Sequence, residues 1–177
     1  MPSFFGGSSP SSAFDEIIER VTNETNTTEN WALILDICDR VSQAGSKGAK
    51  ECVLSLRKRL NHRDPHVVML ALSVLDSCMS NCGQTFQREV CTREFLSELK
   101  SKATGSNHKV AEKTRLLIKK WRDNECKTDP SLSLMPNLYS ELKKDGVSFE
   151  SSDPVSAYIA RSSDIRVVNR SLLKMLE

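Results

Sequence analysis

Asp64-Pro65-His66-Val67-Val68-Met69-Leu70-Ala71-Leu72-Ser73-Val74-Leu75-Asp76-Ser77-Cys78-Met79-Ser80-Asn81-Cys82-Gly83 is the stretch on which the fold turns. Asp64 supplies a helix cap and Pro65 suits a first turn. Gly83 marks the end. Between them Val67, Val68, Leu70, Ala71, Leu72, Val74, Leu75, Cys78 and Met79 leave almost no polar face. A helix that is apolar nearly all round has to be surrounded by other elements. Its one long polar stripe is Ser73, Asp76, Ser77 and Ser80, at spacings of three and four.

Outward from this helix the chain keeps helical periodicity from about residue 13 to 144 and shows almost no strand alternation. A first helix is expected from about Ala13 to Thr22, with Phe14, Ile17, Ile18 and Val21 inward. A second runs from near Glu29 to near Val41, and Gly45 and Gly48 bracket a turn. A third covers Ala49 to Leu60. After the central fourth helix come a short fifth, from about Gln84 to Val90, and a sixth capped by Thr92. A seventh runs from about His108 to Asn124. An eighth starts between Leu132 and Pro136 and stops before Gly146. Eight helices with short connections around one buried helix predict an all-α superhelix, a compact α-solenoid. No strict sequence repeat is visible. Residues 1–12, rich in Ser, Gly and Pro, read as a flexible arm. Residues 13–150 form the domain. Residues 151–177 read as a linker and a short amphipathic helix with Ile165, Val168, Leu172 and Met175 on one side. Three roles stay open for that end: docking on the domain, binding a partner, or remaining unstructured.

Composition narrows the function. The chain has 177 residues, and a formal charge of +2 gives no strong field toward nucleic acid or membrane. The basic runs Arg57-Lys58-Arg59 and Lys119-Lys120-Trp121-Arg122 read first as solvated helix faces, and second as weak contacts with anionic lipid. The N-terminus lacks the basic and apolar regions of a signal peptide, and Pro2 excludes myristoylation. The expected compartment is the reducing cytosol. The six cysteines are then expected to be structural thiols, without a CxxC pair for zinc. The glycosylation-like triplets at Asn23 and Asn26 read as chance matches in a turn. No phosphate loop, nucleophile elbow or metalloprotease helix is present. No cofactor and no metal are expected, and a binding module is favoured over an enzyme.

The segment Asn30-Trp31-Ala32-Leu33-Ile34-Leu35-Asp36-Ile37-Cys38-Asp39 carries the functional question. Ile34, Ile37, Cys38 and Val41 make a buried stripe. Trp31 and Leu35 fall at its edge, with Asp36 and Asp39 beyond. Two readings stay open: packing against a neighbouring helix, or a small recognition patch.

This string resembles the second helix of VHS domains, and Asn61 to Leu72 resembles the start of their fourth. Ser80-Asn81-Cys82-Gly83 with Phe86 and Glu89-Val90 is similar to the family's next junction. Asp129-Pro130, Leu132 and Gly146 to Phe149 extend the likeness to about residue 150. The subgroup resembled most is that of the signal-transducing adaptor molecules. The resemblance implies a right-handed superhelix of eight helices and a non-catalytic ESCRT-0 adaptor, peripheral to early endosomes, that binds ubiquitin on membrane cargo. It assigns ubiquitin contact to Trp31 and Leu35. Asp36 joins them from its place on the rim. Ser73, Asp76, Ser77 and Ser80 are added from their spacing, with plain solvent exposure as the competing reading. Longer relatives carry a ubiquitin-interacting motif, an SH3 domain and a coiled coil. Assembly with the hepatocyte growth factor-regulated tyrosine kinase substrate is expected only of such longer forms. Two alternatives remain. One is phosphoinositide binding through Arg57, Lys58, Arg59 and Arg63, as in the related ENTH domains. The other is recognition of acidic dileucine signals through Arg93, Lys100 and Lys102.

Overall fold

A computed structural model describes residues 12–151. The expected flexible arm, up to residue 11, and the expected terminal helix lie outside the described residues. Within them the chain is all-helical: α1 (Asp15–Val21), α2 (Trp31–Leu60), α3 (Pro65–Asn81), α4 (Gly83–Val90), α5 (Arg93–Ala103), α6 (His108–Asp123), a 3₁₀ turn (Pro130–Leu132) and α7 (Leu134–Lys144).

The caps are those the sequence supplies. Asn30, Asp64, Thr92 and Asn107 each accept a hydrogen bond from a first-turn backbone N–H, opening α2, α3, α5 and α6. The expected turn between Gly45 and Gly48 is corrected. Helix continues past Val41 and breaks only at Gly45, where φ is 62° and ψ is −140°. The backbone resumes at once, and Gly48 is buried inside the second arm. A Cβ there would stand 2.5 Å from that of Ala44, so the tight corner needs a glycine. Counting the two arms of α2 separately turns the seven described helices into the eight expected segments.

The helices stack in two rows. One contains α1, the second arm of α2, α5 and α7. Lys58 bonds Asp15, Arg59 bonds Thr22, Arg57 bonds Glu98, and Lys100 bonds Glu141. The other contains the first arm of α2, α3 and α6. Cys38 meets Cys78, and Asp76 meets Lys120. Residue numbers rise together along each pair, so helices within a row are parallel. The partners in these bonds are 37 to 44 residues apart. This hidden period is the repeat of an α-solenoid: one two-helix layer, then the next. α4 crosses beside these rows, with Phe86 and Val90 buried and Gln87 Nε2 donating to Met79 O.

Two consequences are measurable. Gly45→Ala meets no steric neighbour within 4 Å, so only backbone strain opposes it. Urea unfolding should show a loss of about 1–3 kcal/mol. The Arg57 guanidinium holds the Glu98 carboxyl below the usual carboxylate range, against a smaller effect of burial. A depressed folded-state pKa stabilises above the unfolded value and loses that contribution as pH falls through the folded one. Glu98→Gln should therefore lower stability at neutral pH and flatten the acid side of the stability curve.

Candidate recognition surface on the first helical pair

Trp31 opens α2, and Asn30 Oδ1 accepts from Leu33 N at 3.1 Å to fix that turn. The helix then buries Ile34, Ile37, Cys38 and Val41. Trp31 itself stands 48% exposed. The ring is therefore not enclosed in the core, and Leu35, one turn on, is half-buried. Asp36 forms an i,i+4 ion pair with Arg40 at 3.0 Å. A rigid aromatic on the first turn of a capped, well-anchored helix has little rotational freedom left to lose on binding.

α3 lies alongside this arm. Ser73 Oγ donates to Glu29 Oε1 at 2.9 Å, Cys78 Sγ is 3.8 Å from Cys38 Sγ, and Cys82 Sγ is 3.6 Å from Cys38 O. The polar stripe of α3 is thus beside the second helix, and it also faces α6. Ser73 and Ser77 are buried. Lys113 Nζ donates to Ser73 Oγ at 2.6 Å. Lys120 Nζ donates to both Asp76 oxygens, at 2.6 and 2.7 Å, and Trp121 Nε1 donates to Asp76 Oδ1 at 2.9 Å. Ser80 Oγ donates to Glu125 Oε1 at 2.6 Å. Burial lowers the pKa of Lys113, with the Glu29 and Asp76 charges opposing, and burial raises that of Glu125.

The solvated reading of Lys119 to Arg122 is corrected by these bonds. The Lys120 side chain is only 8% exposed, and Trp121 is fully buried. Sequence reasoning missed Lys113 and Lys120 as partners of the stripe. The available signal was register: residues 40 and 44 positions after Ser73 and Asp76 carry the complementary groups.

Of the basic residues considered for lipid, Arg57 bonds Glu98, Lys58 Nζ lies 2.8 Å from Asp15 Oδ2, and Arg59 Nε donates to Thr22 Oγ1 at 2.8 Å. Arg63 is exposed. Of those considered for dileucine signals, Arg93 is exposed, Lys100 bonds Glu141 and Lys102 bonds Asn61. The structure also gathers Cys38, Cys78 and Cys82, with their sulfurs all within 4.8 Å of one another.

A family model described as the VHS domain matches residues 8–146. Class E vacuolar protein-sorting machinery protein HSE1 of Cryptococcus neoformans is 35% identical over 152 residues, 83% of this chain and 23% of its own length. TOM1-like protein 2 of Homo sapiens is 33% identical over 155 residues, 85% of this chain and 30% of its own. The chain therefore spans less than a third of these relatives. A crystal structure of the VHS and FYVE tandem domains of Hrs, a protein involved in membrane trafficking and signal transduction, superposes with a TM-score of 0.71. It is 26% identical, over 81% of this chain and 66% of that one.

Removing Asp76 leaves Lys120 charged and buried, which is a severe penalty. Asp76→Ala should cost about 3–5 kcal/mol in urea unfolding. Asp36→Ala, which breaks the exposed pair with Arg40, should cost under about 1 kcal/mol.

Proposed function

The chain belongs to the VHS-domain family, and we propose that it acts as a non-catalytic module of endosomal sorting that binds ubiquitin on membrane cargo. One observation carries this reading: Trp31 stands 48% exposed on the first turn of α2, one turn from the half-buried Leu35. Large exposed apolar side chains on rigid elements are the usual anchors of protein interfaces. Leu35 extends the contact by one turn, and Asp36 gives it a charged rim. Ser73, Ser77 and Ser80 form a supporting border on α3, with Ser73 and Ser77 buried and Ser73 and Ser80 bonded to Lys113 and Glu125. Asp76 holds that border in place through α6. The names of relatives point the same way: HSE1 is described as vacuolar protein-sorting machinery, and Hrs as a membrane-trafficking protein.

A patch of this size falls below a standard interface of about 1,200–2,000 Å². Binding is therefore weak and fast, and useful retention comes from polyubiquitin or from tethering at a membrane. Among the described residues no helix is long and apolar enough to cross a membrane. A peripheral location on the endosomal surface suits this role. The phosphoinositide reading draws less support, because Arg57, Lys58 and Arg59 already have partners within the fold.

Trp31→Ala should abolish ubiquitin-induced NMR shifts while leaving helical circular dichroism unchanged. Leu35→Ala should weaken binding by about thirtyfold, the lower end of an interface hot spot. Undiminished binding by Trp31→Ala would refute the proposal.

A further inference from the structure

Cys78 lies on α3 and Cys82, four residues on, is its C-cap, so their sulfurs fall on one side. Cys38 meets them from the first arm of α2, its sulfur 3.8 Å from that of Cys78. The three sulfurs lie within 4.8 Å of one another. A cation bonded to three sulfurs at about 2.3 Å holds them about 4 Å apart. The cluster already has nearly that span. Cys38 and Cys78 are buried, while Cys82 caps α3 and is half-buried, so the group has a wall of protein behind it and an entrance at Cys82. The remaining pair, Cys91 and Cys126, stands elsewhere in the core with sulfurs 3.9 Å apart and offers two ligands only.

We propose that Cys38, Cys78 and Cys82 form a binding site for a thiophilic monovalent cation, copper(I), at the seam between α2 and α3. The ligand set selects the ion. Soft thiolate sulfur favours copper(I) and zinc over hard cations. Zinc sites of the structural kind require four ligands in a tetrahedron. Copper(I) is satisfied by two or three. Each sulfur that ligates as thiolate gives its proton to solvent, so affinity rises with pH. The buried Cys78 thiol resists that loss. Contacts with Cys38, Cys52 and Cys82, together with burial, push the Cys78 thiol up. A bound cation replaces those S–H protons and ties two helices that otherwise meet there through weak sulfur contacts. This inference is independent of ubiquitin binding.

The test is an anaerobic titration of the fully reduced 177-residue chain with copper(I) against a chromophoric copper(I) chelator. One ion per chain is expected, with sulfur-to-copper absorption in the near ultraviolet and a higher melting temperature. Cys82→Ser should weaken binding at least about tenfold, since even outer partners of metal ligands command that much. Cys91→Ala should leave it unchanged. X-ray absorption of the loaded wild-type chain reads the site without any variant and should show three sulfur neighbours and no nitrogen or oxygen. No binding, equal loss in Cys91→Ala, full affinity in Cys82→Ser, or nitrogen and oxygen neighbours would each overturn the site. Tighter binding of zinc(II) in the same competition would overturn the choice of ion.

Discussion

Asp76 sits midway along a helix that is otherwise packed on nearly every side. A carboxylate in that position has to be matched or the helix cannot be enclosed. Lys120 matches its charge and Trp121 adds an indole N–H, and both come from consecutive residues of α6. The pair therefore fixes where α6 lies along α3. Once that register is set, Ser73 reaches Lys113 about a turn before it and Ser80 reaches Glu125 about a turn after. Trp121 is then fully enclosed, so the largest side chain of the core is placed by a hydrogen bond as well as by its area. An apolar residue at 76 would bury as well, but it would not choose one register over its neighbours.

Much of this was readable beforehand. The all-apolar run from Val67 to Met79 announced a central helix, and Asp64 and Thr92 announced helix starts by the capping chemistry they perform. The row Val110, Ala111, Thr114, Leu117, Ile118 and Trp121 of α6 is buried at helical spacing. What escaped was pairing across the chain. Lys120 looks like any lysine in a basic run, because nothing local tells that an aspartate 44 positions earlier will stand opposite it. The end of the second helix escaped for a different reason. Glycines at 45 and 48 both resemble punctuation, yet only Gly45 adopts a backbone that requires one, while Gly48 is a close-packing contact. At the surface, the exposed ring of Trp31 was legible as an edge position, whereas the engagement of Ser73 and Asp76 with α6 was not.

The pairing of α2 with α3 places two unlike chemistries on one seam. Trp31 and Leu35 open the first arm of α2 with exposed or half-buried apolar surface. Below them the thiols of Cys38, Cys78 and Cys82 face each other. Apolar packing alone would let two helices slide along such a seam. Here the Ser73 to Glu29 bond, just before α2, and the sulfur contacts of Cys38 pin it at two points. A recognition surface spread over two helices keeps its shape only if the helices keep theirs.

The even separation of partners along the chain also bears on how the molecule assembles. Helix-to-helix bonds that join residues roughly forty apart close loops of nearly equal length, so each layer meets a similar entropic cost. Among the described residues no helix has to wait for a partner from the far end of the chain. A growing nucleus can extend layer by layer in either direction, and a chain still emerging during synthesis can bury its first layers before the last are made.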